Sequence, residues 1–420
     1  MECVLKDLIA VSKDGEWGKG EPFDDSVEML AIRGTDFEDV RFGDTASTPR
    51  RHIAKRHADR KLLQPWDVII EAAGGTKNQI TGRTVLLRPQ LFSRSELPFT
   101  CASFSRFIRF NSELCDPEFM FWYLQHLYAS GLMHAYHTQH TGVARFQWTT
   151  FSEREPLGLP PLPVQRRIAG ILSAYDELME NSQRRIRILE AMARALYREW
   201  FVHFRFPGHE KLPRVASPLG DIPKGWEVKT VPDCVHVNPR VVVPRDGEKP
   251  FVPMGCLSND SMLITDIESR AGNSGAKFQN GDTLFARITP CLENGKTGFV
   301  QFLPDAQAVA CGSTEFIVLR SRTLMPEFVY CLARSDEFRG VAIKSMSGAT
   351  GRQRVQEQCF DDFKIAQPPR ALLDQFSAIV APSFLLIYKL HLQIQTLRRT
   401  RDLLLPRLLS GQVELRGQAR

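Results

Sequence analysis

The chain has 420 residues, 43% of them hydrophobic and 24% charged, so it can bury sizeable cores without a metal or disulfide staple, and about two to four domains are expected. Its formal net charge is +6, and its nine cysteines, odd in number and lacking any Cys-x-x-Cys pair, read as reduced thiols of a cytoplasmic protein. Lys6 and Asp7 precede any signal-type run, and no unbroken stretch of about 18 apolar residues occurs, so no membrane span is expected.

Residues 47–61 hold six basic residues and one acidic one, so nearly the whole net charge matches one short stretch. It reads either as a solvated surface helix or as a contact for an anionic partner. Asp67–Glu71, Thr84–Leu87 and Phe104–Phe110 read as strands from their β-branched and aromatic content. A glycine-rich loop carrying Lys77, Asn78, Gln79 and Arg83 joins the first two. Asp116 suits an N-cap, Pro117 a first helical residue and Gly131 a stop, with Phe119, Tyr123 and Leu127 on one buried face. His134, His137 and His140 fall at steps of three. They read as a polar helix end, and no metal is expected.

From Leu159 to Phe206 the chain has no proline or glycine beyond its opening prolines, except Gly170. Apolar residues recur there at alternating steps of four and three. The seam consists of Ile168, Leu172, Tyr175, Met179, Ile186, Leu189, Ala193, Leu196 and Trp200, with Ser182 as its one polar member. A helix of this length needs a partner. A second seam follows near the C-terminus, with Phe376, Val380, Ile387, Leu390, Ile394, Leu397, Leu404 and Leu408, and Phe376 lies 208 residues beyond Ile168. Pro382 and Pro406 are expected to kink or interrupt this copy, and Arg401 places a charge on its seam.

The repeat extends beyond the helices. Thr141-Gly142 is echoed by Thr350-Gly351, Pro117-Glu118-Phe119 by Pro326-Glu327-Phe328, and Trp66-Asp67 by Gly281-Asp282. After a proline- and glycine-rich linker, Pro207 to Pro223, the second globule reads as strands at Gly281–Arg287, Thr297–Phe302 and Glu315–Arg320 and a helix from Pro326 to Gly340. The expected partition is 1–157, 158–212, 213–366 and 367–420: globule, helix, globule, helix. Gly295-Lys296-Thr297 is no phosphate loop, because Pro290 occupies the first glycine position and a strand follows. Asp221, Glu227 and Lys229 lack the spacing of a nuclease cluster. No methyltransferase signature of the Asn-Pro-Pro-aromatic type occurs, so the chain is expected not to be an enzyme.

Leu159-Pro160-Pro161-Leu162-Pro163-Val164-Gln165, Ile222-Pro223-Lys224-Gly225-Trp226 and Leu404-Leu405-Pro406-Arg407-Leu408-Leu409-Ser410-Gly411 occur in that order within the duplicated layout. On these residues the chain resembles the specificity subunit of type I restriction–modification systems. The resemblance implies an α+β fold, with two mixed α/β target-recognition domains separated by two long helices that pack as an intramolecular antiparallel coiled coil. It implies that each domain reads one half of a split double-stranded DNA site and that the subunit itself is not catalytic. It also implies docking to two methyltransferase subunits, where S-adenosylmethionine is expected, and to restriction and translocase subunits through the complex.

Arginine and lysine supply phosphate contacts, arginine fits guanine, and asparagine or glutamine fits adenine. The DNA-contacting candidates are therefore Arg50, Arg51, Lys55, Arg56, Arg60 and Lys61 of the basic run and Lys77, Asn78, Gln79 and Arg83 of the glycine-rich loop. Asn294 and Lys296 stand in the equivalent loop of the second copy. Arg145, Arg352 and Arg354 sit in the Thr-Gly loops, which read equally well as braces between globule and helix. A coiled-coil adaptor without DNA readout is the alternative reading.

Overall fold

A computed structural model describes residues 2–75, 79–139, 143–244, 246–349 and 351–413. The chain divides into two compact units, Met1–Asn181 with Ile394–Arg420, and Ser182–Gln393. Each unit takes a globule together with part of both long helices.

In the first unit, β1 (Ile9–Asp14), β2 (Ser26–Ile32), β3 (Arg50–Ala54), β4 (Val68–Glu71), β5 (Thr84–Leu86), β6 (Phe99–Cys101) and β7 (Ser105–Phe110) form two sheets. One has the order β1-β7-β4-β5, all antiparallel, and the other β3-β2-β6, with β2 and β6 parallel. Side chains alternate across β4, so its two faces serve two cores. Ile69 packs with Val85, Phe99 and Phe107 between the sheets. Val68 and Ile70 pack with Phe119, Trp122, Ile168, Leu172, Leu405 and Leu408 on the other face. Helix α1 (Pro117–Ala129) covers that face, and its Asp116 cap accepts the Phe119 N–H at 2.9 Å. The first long helix, α2, runs Leu162–Tyr197 and continues as a π-helical turn to Val202.

The second unit repeats this topology with one strand added to its second sheet. Strands β8 (Val235–Val237), β9 (Glu248–Val252), β10 (Glu268–Ala271), β11 (Ala276–Phe278), β12 (Thr283–Ala286), β13 (Thr297–Phe299), β14 (Ala310–Gly312) and β15 (Phe316–Ser321) form the sheets β8-β15-β12-β13 and β10-β9-β14-β11, with β9 and β14 parallel. The single helix expected from Pro326 to Gly340 is instead two, α3 (Pro326–Arg334) and α4 (Asp336–Lys344). Ser335 explains the break: its extended backbone leaves the helix, and its hydroxyl accepts the Phe338 N–H to start the next one. The second long helix, α5, runs Arg370–Leu409.

Helix α5 passes unbroken through Pro382 and Pro406, contrary to the expected kinks. Both prolines are exposed, as are Ala378 and Asp402 one turn earlier, so the carbonyls that lose an N–H partner can be hydrated. The seam residues Ile168, Leu172, Met179, Ile186, Trp200, Phe376, Val380, Ile387, Leu390 and Ile394 are buried, and so is Ser182. Within the second unit, Trp200 and Phe201 pack on Phe376 at ring distances of 6.2 and 5.0 Å. Helix α5 also corrects one expectation. An 18-residue window within it has a mean hydropathy of 1.5, enough by length and composition to cross a membrane, although a third of that window is buried. The apolar residues are interleaved with neutral polar ones, so a search for unbroken apolar runs passes over them.

The charge on the seam is neutralised. Arg401 is 7% exposed and donates to the Asp176 carboxylate at 2.6 Å, while Arg41 donates to the same carboxylate at 2.7 and 3.2 Å. Both guanidiniums lie over the Trp122 ring, at 5.0 and 5.5 Å, and the Trp122 indole N–H donates to Ser173. Burial alone would raise the Asp176 carboxyl, but the two arginines outweigh it and hold it below the usual carboxylate range. A group depressed in this way stabilises the fold fully above its unfolded value of about 4, and that contribution is lost as pH falls through the folded value. Asp176→Asn should therefore cost about 3–5 kcal/mol at neutral pH, because it leaves the buried Arg401 and the half-buried Arg41 short of a partner. It should also flatten the acid limb of the stability profile, as read by urea unfolding across pH.

Candidate nucleic-acid interface

The equivalent central strands, β4 and β12, both begin at a buried carboxylate. Asp67 accepts the Arg109 fork at 2.8 and 2.8 Å and the Gln64 N–H at 2.8 Å. Asp282 accepts the Arg320 fork at 2.7 and 2.6 Å and the Gln279 N–H at 2.8 Å. The preceding residues, Trp66 and Gly281, both sit in the left-handed region, at φ 72° and 88°. The two copies thus share a turn that only glycine adopts without strain.

At the far end of each strand a cleft opens. In the first unit it has a volume of about 660 Å³ and is lined by Trp17, Arg33, Gln79, Arg83, Ser103 and Phe104. In the second unit a cleft of about 530 Å³ is lined by Asn238, Arg240, Lys277, Arg287 and Thr314. Both stand beside the turn that precedes the strand paired with the central one, β7 or β15. Trp17, Phe104, Arg240 and Lys277 were not singled out from the sequence. Phe104 reads there as a strand residue, and nothing local signals that its ring is 59% exposed.

The basic run forms no surface helix. Its first part is edge strand β3, paired with β2 as Arg50↔Leu30 and Arg51↔Met29, and its second part is a single helical turn, Lys55–Ala58. Arg50, Lys55, Arg56 and Arg60 are exposed. Arg51 instead stacks over Trp17 at 4.4 Å and donates to the Trp17 and Gly18 carbonyls. Lys61 donates to the Gly15 carbonyl and to Glu16, whose carboxyl that bond holds below its ordinary range. The run therefore curls around residues 15–18, which supply Trp17 to the cleft.

The remaining candidates separate in the same way. Arg83 is clamped in a fork by the buried Glu71 at 2.9 and 2.9 Å, and that bond raises its guanidinium further. Lys296 turns inward to the Met254 and Leu257 carbonyls, and Arg354 forms a fork with Glu315. Gln79, Arg145, Asn294 and Arg352 are exposed. Lys77 and Asn78 lie outside the described residues, as do His140, Thr141, Gly142 and Thr350. His137 accepts the Thr81 N–H at 3.2 Å through Nδ1, which gives that nitrogen a protein partner.

No family model matches the chain. It is 27% identical over 309 residues to the type I restriction enzyme MjaIX specificity subunit of Methanocaldococcus jannaschii, across 70% of this chain and 69% of that one. It is 31% identical over 156 residues to the type I restriction enzyme EcoEI specificity subunit of Escherichia coli, across 36% of this chain and 26% of that one. The chain is thus similar in sequence to type I specificity subunits. The crystal structure of a type I restriction–modification S subunit from M. genitalium shares its fold, with a TM-score of 0.55 at 13% identity over 97% of this chain and 95% of that one. The structural likeness therefore covers both units, whereas the Escherichia coli alignment covers little more than a third of the chain.

Residues that brace the loops should separate by experiment from those that only face solvent. Lys61→Met and Lys296→Met should each lower stability by about 1–2 kcal/mol through lost charged hydrogen bonds. Arg56→Ala and Arg60→Ala should stay within about 0.5 kcal/mol of the parent. Urea unfolding of the four variants is the measurement.

Proposed function

We propose that the chain is the non-catalytic DNA-recognition subunit of a type I restriction–modification complex in the cytoplasm, each globule reading one half of a bipartite site. The observation that carries this reading is the duplication. Two globules of one topology each open a loop-lined cleft at the same end of the same strand, in a relative of named specificity subunits. Arg50, Lys55, Arg56 and Arg60 are exposed and suit phosphate contacts that fix the register of the first globule.

The two long helices run antiparallel in this proposal and set the distance between half-sites. Pairings inside each unit support it. Ile168 and Leu172 of α2 share a core with Leu405 and Leu408 of α5, and Trp200 near the other end of α2 meets Phe376 near the start of α5. Methyltransferase subunits carrying S-adenosylmethionine dock on the helices. Outward apolar side chains in the second unit suit this role, including Ile188, Met192, Ile379 and Leu385, which are all more than half exposed.

Replacing Arg50, Lys55, Arg56 and Arg60 with alanine should weaken DNA binding by the assembled complex and make its salt dependence shallower. The slope should fall by about one unit for each lost phosphate contact. An unchanged affinity and slope would leave the adaptor reading standing. Inserting four residues after Arg187 adds roughly 6 Å of helix, while two residues would turn the apolar face by about 200°. Methylation-site sequencing should find the half-sites kept and their gap one or two base pairs longer for the first insertion, at about 3.4 Å per base pair. The second insertion should abolish methylation.

A further inference from the structure

The loops beside the two clefts share one backbone frame but carry different side chains. In the first unit the Phe104 carbonyl accepts the Ala72 and Ala73 N–H groups at 2.8 and 3.0 Å. Ala73 bridges to Arg145, and the Phe146 N–H donates to the Ala72 carbonyl at 2.9 Å. In the second unit the Glu315 carbonyl accepts the Arg287 N–H at 3.0 Å, Ile288 bridges to Arg354, and the Val355 N–H donates to the Arg287 carbonyl at 2.8 Å. Phe104 therefore stands where Glu315 stands, and Arg145 where Arg354 stands.

The chemistry at these matched positions is opposite. Glu315 holds Arg354 in a fork with contacts of 2.7, 2.9 and 3.0 Å, which occupies the Nε and Nη2 edge, one of the edges with which a guanidinium can grip a base through two bonds. Phenylalanine has no acceptor to offer. Arg145 is exposed, no carboxylate lies within ion-pair reach of it among the described residues, and Phe104 is 59% exposed on the rim of the 660 Å³ cleft. An exposed ring and a guanidinium with no carboxylate partner among the described residues, both tied to the backbone of residues 72–73, are the two side-chain types that read the major groove. Arginine fits guanine O6 and N7, and an apolar face covers a thymine methyl.

We propose that Phe104 and Arg145 form a base-reading pair of the first unit, and that the equivalent Glu315–Arg354 pair is a closed ion pair that reads no base. This assignment rests on the DNA-recognition reading above. It makes the occupant of residue 104 the switch: a carboxylate closes the arginine, and a ring leaves it free for a base.

The test uses the full chain assembled with its methyltransferase subunits, with methylation-site sequencing as readout and thermal melting to confirm that each variant is folded. Arg145→Ala should relax discrimination at one base pair of one half-site by roughly 5- to 150-fold, the range of a good base contact. Phe104→Glu should do the same while keeping the arginine, because it rebuilds the second unit's ion pair. Arg354→Ala should methylate the parental sites unchanged. The proposal is overturned if Arg145→Ala or Phe104→Glu keeps the parental discrimination. It is equally overturned if Arg145→Ala weakens all sites uniformly, as loss of a phosphate contact would, or if Arg354→Ala relaxes a half-site. If the parental complex methylates no defined sequence, the DNA-recognition reading fails first, and a failure of that kind is distinct from the others.

Discussion

Each unit is held by a buried clasp between an aspartate that opens the central strand and an arginine on the neighbouring strand. Asp67 is 0% exposed and Asp282 is 1% exposed, and neither would tolerate burial unpaired. Each fork fixes the register of two strands, and the same carboxylate closes the preceding turn by taking a backbone N–H. The turn bends through a left-handed residue, Trp66 in one copy and Gly281 in the other. A tryptophan there is strained by an amount on the order of 1 kcal/mol. The clasp, worth more than that when one partner is removed, keeps the turn closed regardless.

The copies diverge where the long helices meet the globules. The residues 208 beyond Asp176 and 208 before Arg401 are Phe384 and Ala193. In the second unit Phe384 packs on Phe299 and Tyr330 at 5.1 and 5.4 Å, a purely aromatic contact. The first unit uses the carboxylate of Asp176 between two arginines at this position. An ion cluster and an aromatic cluster demand different partners, so half of one seam cannot satisfy the other globule. The chemistry of the contact marks which end of each helix belongs to which unit.

Much of this was legible in the sequence for a physical reason. Helical and strand periodicities are local, so the seams, the Asp116 cap and the central strands could be read from spacing, and the repeat offsets aligned Asp67 with Asp282 before any contact was known. What could not be read from the sequence depended on solvent and on distant partners. Pro382 breaks a helix only where its orphaned carbonyl cannot be hydrated, and exposure is not written in the local sequence. Lys61, Arg83, Lys296 and Arg354 look like free cations in a list of residues. Their acceptors are Glu16, Glu71, the Met254 and Leu257 carbonyls and Glu315, separated from them by 12 to 45 residues. Charge content located the basic run, but it could not tell a brace from a contact.

The position of the clasp relative to the cleft explains how one fold can carry different reading surfaces. The central strand β4 starts at Asp67 and reaches the cleft at Glu71 and Ala73, some 4 to 6 residues on, or about 13 to 20 Å at 3.3 Å per residue. The hydrogen-bond partners of the Asp67 carboxylate are Gln64 and Arg109, and neither Phe104 on the rim nor Arg145 is among them. A substitution at the exposed rim costs within about 0.5 kcal/mol, whereas opening the clasp costs about 3–5 kcal/mol. Under the proposed function, stability and readout are therefore separated along a single strand. The buried end fixes the strand in the sheet, and the open end holds loops whose side chains can change with little effect on the fold. The second unit places Glu315 and Arg354 on the same frame that carries Phe104 and Arg145 in the first, with the Asp282 clasp intact. Loops that differ this much over a clasp that differs so little suit the two readers of different sequences proposed above.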